Sequence, residues 1–283
     1  MARFKHLSSL VRSRRSYARL STNNETDACV VFVHGFIGDV VKTWGQFPDL
    51  CDSELPKDAD RWARMDLYFY DYGAEKDFVK RSAEGLDKFL GSIFPRPDMT
   101  LFGLSEPDRS AIRDPWLPYN RLILVGHSLG AVVIRECLEN RLRPSSLETP
   151  AWTSACELHL FAAAHSGFKF SGWKGLVYRL GPRYITSIPT IMRAFDDLQE
   201  KSGTLTDLRR RTQDLALKHP QVAALLIYGS EEDVVIPAEF DCDPAPMTWV
   251  DKYDHVGICK PDKGFTDPLD FVTRHELRKN AGT

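Results

Sequence analysis

The sequence predicts an α/β fold in which a mostly parallel central sheet is flanked by helices, and three observations predict it. Short apolar runs such as Cys29-Val30-Val31-Phe32-Val33 and Leu122-Ile123-Leu124-Val125 read as strands buried on both faces, as in a parallel sheet. Segments with apolar residues at helical spacing follow them, so strand and helix alternate. The chain has 283 residues, of which 43 % are hydrophobic, enough for one large domain of the ~250-residue kind with a sizeable core.

Taken in order, residues 1 to 24 carry Arg3, Lys5, Arg12, Arg14, Arg15 and Arg19 with no acid before Glu25. This reads as a basic extension over residues 1–28, ahead of a domain spanning 29–283. Arg-rich, Ser-bearing and acid-free also describes a mitochondrial transit peptide, or an arm that makes peripheral contact with an anionic membrane surface. Without such a role for the arm, a cytoplasmic chain is expected. The strand at Cys29–Val33 runs into His34-Gly35-Phe36-Ile37-Gly38. Met65–Tyr70 is the next strand, and Phe78, Val79, Ala83, Leu86, Phe89 and Leu90 place a crossover helix over residues 75–92. A Pro-rich, weakly periodic stretch from Pro95 to Pro118 reads as a long loop or surface excursion.

Leu122–Val125 then enters Gly126-His127-Ser128-Leu129-Gly130, after which Leu129, Val132, Val133 and Cys137 share one helical face. Ser128 therefore sits at a strand-to-helix turn. The flanking glycines permit a turn sharp enough to expose the hydroxyl, and the helix start supplies unused backbone N–H groups beside it. That is the setting of a nucleophilic serine. Leu158–Ala164 is a further strand, and His165 at its carboxyl end is placed at the rim of the ligand crevice, as a substrate-binding residue or a loop cap. Residues 168–220 break the rhythm: Ile188, Ile191, Met192, Phe195 and Leu198 recur at helical spacing, and Leu205, Leu208 and Leu215 follow on a helix carrying Arg209-Arg210-Arg211, which reads as a solvated face. Ala223–Tyr228 and Met247–Val250 are late strands, and residues 267–279 close the chain with a helix.

The net charge of -2 gives no global bias towards nucleic acid, and no apolar run approaches the ~18 residues of a membrane span. The six cysteines and eight histidines are dispersed without metal-ligand spacing, so neither a metal nor a cofactor is implied. A reducing compartment is the simpler reading of scattered cysteines in apolar contexts.

With the glycine-flanked Ser128 set between a buried strand and an amphipathic helix, the chain resembles the α/β-hydrolase superfamily. Val31–Gly38 with Thr43-Trp44, Tyr72-Gly73, Gly126–Gly130, His165 with Gly167, and Asp254-His255 with Lys260-Pro261 resemble a narrower group. That group is the lipase-like serine esterases that include GPI-inositol-deacylase-like and serine-active-site-containing proteins. The likeness covers about residues 29–262. Where that group often has Gly-Thr-Pro-His-Arg-Gly, this chain has Ala162-Ala163-Ala164-His165-Ser166-Gly167, and the repeat or nucleotide-binding modules of many relatives are missing, which implies a free-standing hydrolase.

The resemblance implies a Ser-acid-His order, with Ser128 as nucleophile and His255, after the last strand, as base. Asp233 is assigned as the acid because it stands four residues before Pro237, with Glu232, closer to the usual spacing after Gly229, as its rival. The N–H groups of Phe36 and Leu129 are assigned to the oxyanion hole. His34 shapes the loop after the first strand by hydrogen bonding, and Asp254, as a sequence neighbour, is a poor orienting acid for His255. The insertion at 168–220 corresponds to a helical lid over the serine, or to ordinary helices packed on the sheet. The activity implied is hydrolysis of a small-molecule or lipid carboxylic ester through an acyl-enzyme. Its alternatives are a lipid acyl hydrolase or acyltransferase at a membrane surface, and a non-catalytic binding module on the same fold.

Overall fold

In a computed structural model of the chain, residues 4–7, 10, 15–36, 38–72, 78–102, 112–143, 149–169, 202–244 and 246–274 are described. Eight strands form one sheet: β1 (Phe4–Leu7), β2 (Tyr17–Ser21), β3 (Ala28–Val33), β4 (Met65–Tyr70), β5 (Arg121–His127), β6 (Cys156–Phe161), β7 (Ala224–Gly229) and β8 (Thr248–Val250). Their order is β1-β2-β4-β3-β5-β6-β7-β8. From β4 to β8 every pairing is parallel, while β1 and β2 run antiparallel at one edge. A mostly parallel sheet with crossover helices, and a strand-turn-helix elbow at its centre, is the α/β-hydrolase fold.

The central strands are apolar on both faces because helices cover both. Every residue of β3 and β4 is buried, and Phe32 of β3 stacks on Phe69 of β4 with ring centroids 4.5 Å apart. The helices named below are α1 (Phe47–Cys51), α2 (Ala59–Trp62), α3 (Phe78–Ile93), α4 (Leu129–Leu142), α5 (Ala151–Ala155), α6 (Gly203–Ala216) and α7 (Asp267–Thr273). The crossover helix is α3, whose last turn carries Ile93 into the core. The helix expected to close the chain is α7 as far as Thr273; the rest of that expectation falls on residues that are not described.

The basic extension expected over residues 1–28 differs in the structure. Residues 4–7 and 17–21 are sheet strands, with Tyr17 opposite Phe69 and Tyr17 stacked on that ring at 4.4 Å. Tyr17, Ala18 and Leu20 are buried, and Arg19 pairs with Asp49 at 2.5 Å. The charges in this stretch masked a short strand whose partner, β4, lies some fifty residues on.

The Pro-rich stretch is also more than an excursion. Arg113 is buried and donates to Asp66 of β4 at 2.8 Å, and Asp66 further accepts from the Tyr119 hydroxyl at 2.5 Å and from the Ser21 N–H at 2.6 Å. Three donors on one buried carboxylate satisfy it and tie β2, β4 and the segment before β5 together.

Helix α4 is buried on nearly all sides, so its charged residues need partners. Arg135 makes a bidentate pair with Asp243 at 2.8 and 2.7 Å, and Asp243 also accepts the N–H groups of Ala224 and Phe240. Those contacts and the Arg135 charge hold the Asp243 carboxyl below its ordinary range against its burial. Helix α6 lays Leu205 and Leu208 inward, and its Arg211 bridges Glu136 and Glu139 of α4. The arginine run is therefore not simply a solvated face: Arg210 pairs with Asp207 at the surface, while Arg211 reaches into α4. The second half of the expected lid is thus a helix packed on α4, and the half carrying Ile188 to Leu198 lies outside the described residues.

Candidate active site

The carboxyl ends of β3, β5, β7 and β8 meet at one edge of the sheet, and each sends a loop to the same place. At the end of β5 the chain turns into α4 through Ser128, whose φ of 54° and ψ of -118° are unusual for any residue but glycine. Such a conformation costs about 1–3 kcal/mol and persists only where the surroundings enforce it. The enforcement is visible: the Ser128 N–H donates to the Phe161 carbonyl at 3.0 Å, and the Ala164 N–H donates to the Ser128 carbonyl at 3.1 Å. The two glycines of the motif are required by close approach. A Cβ on Gly130 would stand 2.2 Å from the Val33 carbonyl oxygen, and one on Gly126 would stand 2.9 Å from the Ile134 Cδ1. Helix α4 can therefore start directly against the end of β3.

The Ser128 hydroxyl lies 3.0 Å from His255 Nε2. On the other side of the ring, His255 Nδ1 lies 2.9 and 3.1 Å from the two carboxylate oxygens of Glu232. A carboxylate accepts only, so Nδ1 carries the proton and Nε2 presents a lone pair to the hydroxyl. Glu232 is itself fixed, because its Oε1 accepts the N–H groups of Val234 and Val235 at 2.8 and 2.9 Å. Serine, histidine and this carboxylate are all buried.

This corrects the acid assignment. Asp233 is exposed and turned to solvent, and Glu232 is the carboxylate on His255. The turn after β7, closed by the Glu232 N–H on the Gly229 carbonyl at 3.2 Å, aims residue 232 inward and residue 233 outward, and the longer glutamate side chain spans the gap to the ring. Asp254 accepts the N–H groups of Val256 and Gly257 and so caps its own turn.

His165 takes the loop-capping role, the second of the two expected of it, and not the substrate-binding one. It is buried, its Nε2 donates to the Ala238 carbonyl at 2.8 Å, and its ring packs on Phe240 at 4.5 Å. Burial, with Arg135 nearby, lowers its pKa to about 3, so it is neutral. It braces the loop that follows Glu232, and Phe240, which packs on it, arrives from a segment about seventy residues later.

On the β3 side, His34 shapes the loop as expected. Its Nδ1 donates to the Gly35 carbonyl at 2.8 Å, its ring stacks on Tyr72 at 4.5 Å, and the Tyr72 hydroxyl donates to the His34 carbonyl at 2.5 Å. The Gly35 carbonyl also accepts the Gly38 N–H at 3.0 Å. Two donors on that oxygen fix the Gly35–Phe36 peptide plane, and in a trans peptide the Phe36 N–H leaves from the opposite edge. Leu129 opens α4, so the helix makes no use of its N–H.

One residue that sequence reading passed over belongs to this cluster. His127, at the first X of the Gly-X-Ser-X-Gly pattern, is buried, and its Nε2 donates to the His255 backbone carbonyl at 2.8 Å. The only signal in the sequence was a titratable residue at the end of an otherwise apolar strand. Among the described residues no cluster of three or more His, Cys, Asp or Glu could hold a metal ion, and no helix is long and apolar enough to cross a membrane.

No family model and no curated protein matches the sequence. Among solved structures the chain is similar to phospholipase PlaB from Legionella pneumophila, at 17 % identity over 71 % of this chain and TM-score 0.44. The match spans 39 % of the PlaB chain. It is also similar to the lipase BlEst2 from Bacillus licheniformis, at 16 % identity over 90 % of this chain and 95 % of that one with TM-score 0.48. The esterase RhEst1 from Rhodococcus matches at 15 % identity over 96 % of each chain with TM-score 0.46.

Proposed function

We propose that this protein is a serine hydrolase that cleaves carboxylic esters through an acyl-enzyme. The observation that carries the reading is the unbroken hydrogen-bonded line from the Ser128 hydroxyl through His255 to Glu232, set on a strained strand-to-helix turn.

In this reading the Ser128 oxygen attacks the ester carbonyl carbon while its proton passes to His255 Nε2. Glu232 holds the ring in the tautomer that can accept that proton and stabilises the imidazolium that forms. The Leu129 N–H and the Phe36 N–H, the latter aimed by the fixed Gly35–Phe36 peptide, receive the oxyanion. One such donor is worth about 3 kcal/mol of transition-state stabilisation. As the tetrahedral intermediate collapses, the alkoxide leaves with the proton from His255, and the acyl group remains on Ser128. Water then attacks the acyl carbon, gives its proton to His255, and the acid departs as serine is regenerated.

The test is hydrolysis of p-nitrophenyl esters by the wild-type chain and by Ser128→Ala. Activity abolished by the substitution is expected; activity that persists overturns the assignment of the nucleophile. A series of acyl-chain lengths, with and without anionic vesicles, then places the substrate. Hydrolysis confined to short chains and indifferent to vesicles points to a soluble ester, and a rise with chain length and vesicles points to a lipid.

A further inference from the structure

We propose that His127 is a positioning residue for the general base: its Nε2–H, donated to the His255 backbone carbonyl, fixes the loop that carries His255. The proposal rests on the hydrolase reading above, since it assigns a task to a residue of the same site.

The His255 side chain is held by Ser128 and Glu232, yet those bonds orient a ring whose backbone sits on a loop beyond β8, the three-residue strand at the edge of the sheet. Asp254 braces that loop from within by capping the N–H groups of Val256 and Gly257 at 3.1 and 2.7 Å. From outside it, His127 reaches the His255 carbonyl at 2.8 Å. Because His127 directly precedes Ser128, the end of β5 both presents the nucleophile and sets the distance to the base.

The ring has little freedom to do otherwise. It faces the His255 ring at 4.9 Å between centroids and Trp44 at 6.5 Å, and a Cβ on Gly35 would stand only 3.0 Å from its Nδ1. Its Nδ1 finds no hydrogen-bond partner among the described residues, so Nε2 is the end that is engaged. Burial, and then the neighbouring His255, lower the His127 pKa to about 3. His127 is thus a neutral donor that places no positive charge against the imidazolium forming on His255.

The experiment compares wild type, His127→Gln and His127→Phe on p-nitrophenyl butyrate and ethyl butyrate, with thermal unfolding of each. Glutamine carries an N–H donor at about the reach of Nε2, and phenylalanine keeps the ring without a donor. The expected result for His127→Phe is a kcat loss of up to about 100-fold, the size of effect that a misplaced catalytic group produces, with KM little changed. The loss should be larger for ethyl butyrate, whose poor leaving group needs the proton from His255, than for p-nitrophenyl butyrate. His127→Gln should recover most of the rate. A purely structural role would lower both esters equally and leave the leaving-group dependence unmoved.

Wild-type rates in His127→Phe, or an equal fall in both variants on both esters, overturn the proposal. Should His127→Phe not fold, His127→Met takes its place with the same expectation. A wild-type chain that hydrolyses neither ester overturns the hydrolase reading and this proposal with it, whereas an active wild type with unaffected variants overturns this proposal alone.

Discussion

Replacing Glu232 by glutamine changes one oxygen to an amide nitrogen at almost constant shape, and the geometry dictates where that nitrogen goes. Oε1 accepts two backbone N–H groups, from Val234 and Val235, so the amide oxygen stays there. The NH2 group then occupies the place of Oε2, 2.9 Å from His255 Nδ1. Two donors now face each other. The imidazole relieves the conflict by moving its proton to Nε2, which then donates towards the Ser128 hydroxyl and cannot receive its proton. Holding a catalytic histidine in the wrong tautomer in this way costs about 10⁴-fold in kcat, or about 5.5 kcal/mol of barrier. Asp233→Asn, at an exposed carboxylate, should leave kcat within about two-fold. Steady-state hydrolysis of a p-nitrophenyl ester by both variants measures the difference. Glu232→Gln retaining activity within ten-fold of wild type, or Asp233→Asn falling further than it does, would show that Glu232 does not set the His255 tautomer.

Three other perturbations have defined outcomes. Arg135→Met leaves Asp243 buried without its guanidinium partner and should cost about 3–5 kcal/mol of stability, read as a lower urea midpoint; an unchanged midpoint would show the pair to be dispensable. Gly130→Ala pushes a methyl group to within 2.2 Å of the Val33 carbonyl, so α4 must shift away from β3. A loss of about 3 kcal/mol in thermal unfolding is expected, together with reduced ester hydrolysis. On acidification, the unfolded chain protonates His127 and His165 near their ordinary pKa of about 6.5, whereas the folded chain resists protonation down to about 3. The unfolded state therefore binds more protons across that window, and stability falls as pH drops through it by at most about 1.4 kcal/mol per unit for each histidine. Urea midpoints between pH 7 and pH 5 check this, and the slope should be shallower in His165→Gln.

The elbow was legible because its signals are local: an apolar run, two glycines at fixed spacing and an amphipathic helix all lie within twenty residues of Ser128. The histidine beside Ser128 was legible from its loop after the last strand. Its carboxylate partner was not, because Glu232 and Asp233 are adjacent and only the turn closed on Gly229 decides which faces inward. His165 was left between two roles and His127 was passed over for the same reason: Phe240 and the His255 carbonyl, which define them, are brought up by segments far along the chain. Strands β1 and β2 were hidden because Lys5 and Arg19 lie within them and further arginines stand between them, and because β4, the partner of β2, is remote in sequence. In each case the missing information is a long-range contact rather than a residue preference.

A nucleophilic Ser128 activated by His255 should react with a fluorophosphonate, which phosphonylates an activated serine oxygen with loss of fluoride, and intact-mass measurement with peptide mapping reads the adduct. A single adduct on the peptide containing Ser128 is expected, with none in Ser128→Ala and strongly slowed labelling in His255→Ala. An adduct that survives Ser128→Ala, or a folded wild-type chain that remains unlabelled, would contradict a nucleophilic Ser128.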